Sequence, residues 1–145
     1  MKIATWNVNS INARIEHLIK FIKKDNCDIY LIQELKCINE LFPLNQIENL
    51  GYNCYINGQK AWNGVAILSK IKLNIINTKI PTYNNDIQAR FLETEITVNK
   101  IKKNIKLFCI YLPNGNPFDT EKFDYKIEWM EKLNEYILYN LEKNI

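Results

Sequence analysis

The chain has 145 residues, of which 47% are hydrophobic and 24% are charged, and its formal net charge is +3. This length and composition suit one folded domain with a real core and exclude a disordered chain. The small positive charge favours an anionic partner only weakly, because dedicated nucleic-acid binders carry denser basic patches. No apolar run approaches the roughly 20 residues of a membrane span, so no membrane partner is expected.

The cysteines predict a reducing environment. They are Cys27, Cys37, Cys54 and Cys109, and no two have the close spacing of a zinc knuckle or a redox pair. The amino terminus runs directly into a strand-like segment without the pattern of a signal peptide. We therefore expect a cytoplasmic protein.

The first part of the chain predicts a strand, a helix and a second strand. The first strand covers residues 2–7, and Ser10 or Asn12 caps the helix that follows. His17, the only histidine, lies beside the apolar stripe of this helix and is expected near the surface. A catalytic triad and a multi-histidine metal site are therefore excluded. The stripe consists of Ile15, Leu18, Ile19 and Ile22.

The segment 28–36 predicts a short buried strand that stops at a carboxylate. Asp28 opens it, mostly apolar residues follow, and Gln33, Glu34 and Lys36 come next. Open α/β sheets bind ligands beyond the carboxyl ends of their strands. Glu34 is therefore either a metal-holding carboxylate or the first solvated residue after a strand, and spacing alone leaves both interpretations open.

The rest of the chain predicts mainly strands, then one long helix. A short helix runs from Pro43 to Leu50 and ends at Gly51. Asp119 or Thr120 caps the long helix, which reaches about Glu142. The predicted strands cover 52–56, 65–68, 73–78, 91–98 and 105–112, with a basic turn over 100–104. The expected inward side chains of the long helix are Phe123, Ile127, Met130, Ile137 and Leu141.

This order of elements predicts an α+β fold in which one mixed β-sheet carries helices on its outer face. Polar clusters follow three of the strands, and they could bring Asn7, Glu34 and Tyr111 to one rim. Amide and carboxylate oxygens suit Mg²⁺ rather than Zn²⁺. Taken singly, Asn7 could be a turn residue and Tyr111 an aromatic strand residue.

Four motifs together resemble one enzyme family. They are Trp6-Asn7-Val8-Asn9, Gln33-Glu34-Leu35-Lys36, the stretch 58–69 (GQKAWNGVAILS) and Tyr111-Leu112-Pro113-Asn114-Gly115. Their order and spacing resemble bacterial exodeoxyribonuclease III, a class II AP endonuclease of the endonuclease/exonuclease/phosphatase superfamily. The resemblance runs from residue 2 to about residue 140. The second and third motifs separate it from the lipid and inositol phosphatases of that superfamily.

The resemblance implies a role for each matching residue. Glu34 would be the metal-binding glutamate, Asn7 the asparagine beside the same metal, and Tyr111 the catalytic tyrosine that contacts the scissile phosphate. The cofactor would be Mg²⁺, with Mn²⁺ as an alternative. The partner would be double-stranded DNA with abasic sites or 3′ ends. The residues implied in DNA binding are Gln59, Lys60, Trp62, Asn63, Arg90 and Asn114.

The resemblance also implies that half of the domain is absent. Residues 1–145 would be the amino-terminal half of a four-layer α/β sandwich. The family's Gly-Asp-x-Asn motif, a later aspartate and an Asp-His pair have no counterpart here. Because loss of a general base alone costs about 10²–10⁴ in rate, we expect this chain to be inactive by itself. The sheet face that would meet the absent half is expected to be apolar and uncovered, which promotes self-association.

Alternative interpretations remain at this point. The chain could be a non-catalytic fragment that retains weak DNA binding, or the product of a decayed gene. Salt-sensitive duplex binding without cleavage would indicate the fragment. A phosphatase of another phosphoester is a further alternative, which the match over 58–69 disfavours. Coincidental motifs in a generic α/β domain would need all four to agree in order by chance.

Overall fold

The structure is a computed structural model that describes residues 1–98 and 103–143. The predicted basic turn falls largely outside these residues. The described strands are β1 (Ile3–Asn7), β2 (Ile29–Gln33), β3 (Asn53–Asn57), β4 (Val65–Ser69), β5 (Asn74–Asn77), β6 (Phe91–Val98) and β7 (Lys103–Ile110). The described α-helices are α1 (Ile11–Asp25), α2 (Leu44–Glu48) and α3 (Glu121–Lys143). A short 3-10 helix at Asn39–Leu41 was not predicted from the sequence.

The chain forms two compact units. The first consists of Met1–Thr78 and Gln88–Tyr111, and it holds both sheets together with α1 and α2. The second consists of Lys79–Ile87 and Leu112–Ile145, and it holds α3.

The strands of the first unit form two sheets. A mixed sheet has the order β1-β2-β4-β3, in which β1 and β2 are parallel and the other neighbours are antiparallel. An antiparallel sheet has the order β5-β6-β7. The mixed α/β class and the mixed sheet are confirmed, but the strands expected in one sheet are divided between two.

Other elements pack on both faces of the mixed sheet, although β1 at its edge is exposed on one of them. On one face, Leu18 and Ile22 of α1 and Ile47 of α2 pack against the sheet side chains Tyr30 and Leu68. On the other face, an apolar cluster joins the two sheets. Its buried members are Ile29, Val65, Ile67, Leu73, Leu92, Ile96, Leu107 and Cys109. The antiparallel sheet therefore covers this face over β2 and β4, whereas Ile3 on the edge strand β1 is 43% exposed on the same face. Self-association through an uncovered apolar face stays a prediction.

Helix α1 begins where the sequence predicted. The Ser10 hydroxyl accepts a hydrogen bond from Ala13 N at 3.4 Å, so Ser10 is the cap and Asn12 lies in the first turn. Asn26 ends the helix in the left-handed conformation. Leu18 and Ile22 are buried as expected, and His17 is exposed. The helix fixes the geometry of the loop between β1 and α1, which carries part of the site.

Helix α3 buries a different stripe from the predicted one. Trp129 is 1% exposed and Tyr136 is 6% exposed. Of the expected inward residues, Ile127, Met130 and Leu141 are 39%, 44% and 58% exposed. Apolar side chains occur on more than one side of this helix, so its periodicity does not decide which side is covered. Within the second unit, Tyr83 OH donates to Glu128 Oε2 at 2.8 Å and Tyr125 OH donates to Asp86 Oδ2 at 2.9 Å.

In the part of the chain that the structure describes, no helix combines the length and the apolar character needed to cross a membrane.

Candidate active site

Three strand ends of the first unit carry the candidate site. Asn7 ends β1, Glu34 directly follows β2, and Tyr111 directly follows β7. Asn7 is the register partner of Gln33 in the parallel pair, which places Glu34 beside it. The expected proximity of Asn7, Glu34 and Tyr111 is confirmed by their direct hydrogen bonds. Their chemical roles stay predictions.

The Glu34 carboxylate is the centre of the cluster. Its Oε1 accepts hydrogen bonds from Asn7 Nδ2 at 2.8 Å and from Tyr111 OH at 2.6 Å. Its Oε2 lies 3.2 Å from Lys36 Nζ. Burial opposes ionisation of this carboxyl, but the donors Asn7, Tyr111 and Lys36 outweigh it and lower the pKa of Glu34 below its ordinary value. Glu34 is therefore an anion at neutral pH.

The Tyr111 phenol is a neutral donor. Burial and the adjacent Glu34 carboxylate raise the pKa of Tyr111, and the Arg90 guanidinium offsets part of the increase. The guanidinium carbon of Arg90 lies 4.7 Å from the centre of the Tyr111 ring. Tyr111 can therefore donate its proton in a hydrogen bond, either to Glu34 or to an anionic oxygen that enters the site.

The donor set fits a hard divalent cation with few protein ligands. Mg²⁺ usually keeps several waters and takes one or two carboxylates, and Glu34 supplies one. Asn7 supplies an amide, although its Oδ1 accepts from Asn9 N at 3.1 Å and its Nδ2 faces Glu34. Across the described residues, no three His, Cys, Asp or Glu side chains gather to hold a metal ion. Any ion here would be held mainly by Glu34 and water.

Backbone hydrogen bonds join the loops around the site. The loop after β1 donates to the loop after β2 through three bonds, Val8 N to Gln33 O, Ser10 N to Glu34 O and Ile11 N to Leu35 O, at 3.0, 2.8 and 3.1 Å. The loop after β2 also donates two hydrogen bonds to the segment before β4. Leu35 N donates to Gly64 O at 3.1 Å, and Lys36 N donates to Asn63 O at 2.9 Å. We refer to these connected segments, 7–11, 33–36 and 58–64, as the loop frame.

The loop frame concentrates unusual backbone conformations. Six of its non-glycine residues have positive φ: Asn9, Ser10, Glu34, Lys36, Ala61 and Asn63, with values from 45° to 86°. A left-handed residue other than glycine costs about 1–3 kcal/mol unless its surroundings enforce it. Glu34 has φ 56°, so its carboxylate is directed by the frame rather than by the alternation of a strand.

A network of amide side chains lies beside Tyr111. Asn63 Nδ2 donates to Gln59 Oε1 at 3.0 Å and to Gln88 Oε1 at 3.2 Å. Gln88 Oε1 also accepts from Arg90 Nε at 2.8 Å, and Gln59 Oε1 accepts from Ala89 N at 2.9 Å. The structure thus brings Gln59, Asn63 and Arg90 together, as members of one network.

The other predicted DNA-binding residues are exposed. Lys60 and Trp62 lie on the turn before β4, and Trp62 is 69% exposed. Asn114 belongs to the second unit and is exposed. Its Oδ1 accepts a hydrogen bond from Asn116 Nδ2 at 2.5 Å, and its backbone carbonyl accepts one from Lys126 Nζ at 3.4 Å.

Sequence reasoning assigned no role to Lys36, Asn9 or Gln88, which also belong to the cluster. Lys36 Nζ donates to Asn9 Oδ1 and pairs with Glu34, so it connects two loops of the frame. No periodicity could have revealed these contacts, because the left-handed residues interrupt the alternation of an extended chain. The neighbouring motif residues Asn7 and Glu34 were the only available signal.

Comparison with known proteins identifies the family and several relatives of this chain. The sequence pattern of the Endonuclease/Exonuclease/phosphatase family matches residues 4–144. Exodeoxyribonuclease III of Haemophilus influenzae is 34% identical over 142 residues, which cover 94% of this chain and 51% of that protein.

Solved structures give the same result. A 3′ phosphatase from Neisseria, solved with a product DNA hairpin, superposes with a TM-score of 0.89 at 33% identity, covering 98% of this chain and 53% of that chain. An AP endonuclease from Archaeoglobus fulgidus superposes with a TM-score of 0.84 at 32% identity, covering 94% and 51%. The chain spans about half the length of these relatives.

The matched pattern covers nearly the whole chain, and the relatives agree in both sequence and structure. The chain therefore belongs to the Endonuclease/Exonuclease/phosphatase family.

Proposed function

We propose that Asn7, Glu34 and Tyr111 form one side of a Mg²⁺-dependent phosphodiesterase site of the exodeoxyribonuclease III type. The complete enzyme would cut double-stranded DNA at abasic sites and remove nucleotides from 3′ ends. The observation that carries this proposal is the convergence of the Tyr111 phenol and the Asn7 amide on one oxygen of Glu34, at 2.6 and 2.8 Å.

Glu34 and Asn7 would hold the metal ion. Glu34 is ionised, so it offers a charged hard ligand, and Asn7 offers an amide oxygen if its side chain turns. When bound, a divalent ion neutralises charge that develops on the phosphoryl oxygens. Mg²⁺ suits these oxygen ligands, and Mn²⁺ can take the same position.

Tyr111 would contact the scissile phosphate. Its raised pKa keeps the phenol protonated at neutral pH, so it can donate a hydrogen bond to a phosphate oxygen. Such a donor, positioned in advance, stabilises the charge of the transition state without reorganisation. Glu34 holds the phenol near this position before substrate arrives.

Lys60 and Trp62 would contact the DNA outside the reaction centre. A lysine can pair with a backbone phosphate without reading sequence, and an exposed tryptophan can stack on a base or a sugar. Both side chains lie on the exposed part of the loop frame that carries Glu34. The preference for abasic DNA is part of this proposal, and it would rest on extrusion of the damaged nucleotide.

We further propose that residues 1–145 correspond to the amino-terminal half of such a domain. In the part of the chain that is described, Glu34 is the carboxylate at the cluster, and it is engaged by three side-chain partners. The only histidine, His17, is exposed on α1. The chain would then bind metal and DNA but provide no group to activate the attacking water.

Metal binding tests the proposal directly. Purified 1–145 is titrated with Mn²⁺ and the bound ion is measured by electron paramagnetic resonance. We expect Glu34→Gln to weaken binding at least about tenfold, since it removes the charged ligand. Glu48→Gln, on the exposed end of α2, serves as the matched control and should bind like the parent. Equal affinity of the parent and Glu34→Gln would overturn the assignment of the site.

A further inference from the structure

Arg90 was predicted to hold DNA, yet its side chain is directed at Tyr111. Its guanidinium carbon lies 4.7 Å from the centre of the Tyr111 ring, and its Nη1 donates to the Tyr111 carbonyl at 3.3 Å. A backbone hydrogen bond also joins the two residues, because Tyr111 N donates to Arg90 O at 2.8 Å. Arg90 therefore contacts the ring, the carbonyl and the amide of a single residue.

Arg90 is itself held by the amide network. Its Nε donates to Gln88 Oε1 at 2.8 Å, and the same oxygen accepts from Asn63 Nδ2 at 3.2 Å. Asn63 is only 7% exposed, so its position is fixed by packing, and the backbone carbonyl of Asn63 accepts from Lys36 N. The network thus reaches from the loop frame to the face of the Tyr111 ring.

We propose that Arg90 is a positioning residue for Tyr111, held over the ring by Asn63 and Gln88, rather than a primary contact to the DNA backbone. This inference relies on the proposed function only in giving Tyr111 its importance. A phenol on a strand end can rotate about two side-chain bonds, and Glu34 constrains only its hydroxyl. Arg90 constrains the ring plane, because a planar guanidinium stacks in one orientation on an aromatic face.

The geometry also separates two groups within the predicted DNA-binding set. Gln59, Asn63 and Arg90 use their polar atoms in the network. Lys60 and Trp62 are exposed on the same turn. Under this inference the second group meets the DNA, and the first keeps Tyr111 in place.

The test follows the ring of Tyr111 by NMR in protein labelled with ¹³C on tyrosine rings, with the signal assigned through Tyr111→Phe. We expect Arg90→Gln and Arg90→Lys to displace the Tyr111 ring signal by more than its linewidth, because neither retains the planar fork. Gln88→Leu should displace it as well. Gln88→Glu keeps an oxygen acceptor for Arg90 and Asn63 and should restore the parent signal. Lys60→Gln, on the exposed side of the same turn, should leave it unchanged.

Two results would overturn the inference. One is a Tyr111 signal that stays in place in Arg90→Gln. The other is an equal displacement in Lys60→Gln, which would indicate a general effect of the loop. A role confined to folding would lower the unfolding midpoint of Gln88→Leu and of Arg90→Gln without moving the ring signal of the folded protein.

Salt dependence of duplex binding provides a second, independent measurement. Removing a phosphate contact reduces the slope of log K against log salt by about 1. We expect that reduction in Lys60→Gln and an unchanged slope in Arg90→Gln. A reduction of about 1 in Arg90→Gln would make Arg90 a phosphate contact and overturn the inference. Absence of duplex binding by the parent would count against the proposed function, while the NMR result would still decide the role of Arg90.

Discussion

Glu34 shows how the partners of a single residue decide its charge state. A carboxylate that follows a strand is usually solvated, but here two donors share its Oε1 and a lysine approaches its Oε2. These contacts keep it ionised despite partial burial. The same partners make Glu34 a contributor to folding stability, and the size of its contribution depends on pH.

The pH dependence of stability follows from the lowered pKa of Glu34. Because the folded state binds the Glu34 proton more weakly than the unfolded state does, ionisation stabilises the fold above the ordinary carboxyl pKa of 4.5. That stabilisation should disappear as the pH falls through the lowered value. We expect the difference in unfolding free energy between the parent and Glu34→Gln to shrink with falling pH, measured by urea denaturation with a metal chelator present. A difference that grows in acid would contradict the shift.

Trp62 provides the second prediction at this scale. It is 69% exposed, so Trp62→Ala should change the unfolding free energy by less than about 0.5 kcal/mol. If it stacks on DNA, the same change should weaken duplex binding about tenfold at fixed salt, since one stacked base is worth about 1–3 kcal/mol. Leu141→Ala is the control, because Leu141 is 58% exposed on α3 and far from the four motifs in sequence. Equal loss of affinity in both variants would argue against a specific contact by Trp62.

At the scale of elements, Gly64 of the loop frame permits a close approach that Gly51, which lies outside the frame, does not require. Gly64 has φ +88°, and an added Cβ would lie 2.8 Å from Leu35 Cβ. Gly51 has φ +87°, and an added Cβ would meet nothing within 4 Å. The two positions therefore share the conformational requirement and differ in the space available.

Substitution by alanine should therefore lower the unfolding free energy by different amounts at Gly51 and at Gly64. Gly51→Ala should lose about 1–2 kcal/mol of unfolding free energy from the left-handed backbone alone. Gly64→Ala should lose that amount and a further 1–3 kcal/mol, roughly the usual cost of overpacking. Urea midpoints at an unchanged m-value measure both. Equal losses of unfolding free energy in the two variants would show that Leu35 can move away from the added methyl group without a measurable energetic cost.

The sequence predicted most elements but not all of their relations. The apolar runs and turn residues located the strands within one or two residues, because hydrophobic alternation and Gly or Pro punctuation are local signals. The division into two sheets was missed, since alternation in β6 and β7 does not specify a partner sheet. In α3, burial of Trp129 and Tyr136 instead of Met130 and Leu141 shows the same limit for a helix with apolar residues on several sides.

The candidate site was predictable only through its motifs. The rim formed by Asn7, Glu34 and Tyr111 follows from three strand ends, which the sequence indicates. The contacts of Lys36 and Arg90 depend on left-handed residues and on a partner that is distant in the chain, and neither leaves a periodic signal. These are tertiary effects, and local propensity carries no information about them.

At the scale of the whole molecule, the described residues contain what we propose to be the metal and phosphate side of a hydrolytic site. Attack by water needs a group that removes its proton, and positioned general bases contribute about 10²–10⁴ in rate. Glu34 is engaged by three partners, and His17 is exposed on α1. Binding and turnover should therefore be separable in this chain.

We expect purified 1–145 to bind an abasic duplex in the presence of Mg²⁺ and to incise it no faster than Glu34→Gln. A gel assay with a labelled duplex measures incision, and a filter assay at the same salt measures binding. Mg²⁺-dependent incision by the parent that is lost in Glu34→Gln would show that the chain is catalytically complete. The same result would still support the proposed role of Glu34 as a metal ligand.

The loop frame has a consequence for how this sequence can diverge. Its connecting bonds run between backbone amides and carbonyls, so any residue with the same backbone conformation can make them. Val8 and Leu35 are buried as well, which limits these two positions to apolar side chains. Substitutions by apolar residues of similar size at these two positions would therefore leave the connecting bonds in place. An insertion or deletion of one residue would shift the partners of several bonds at once and turn Glu34 away from Tyr111. Loop length is therefore a property that this part of the chain cannot change.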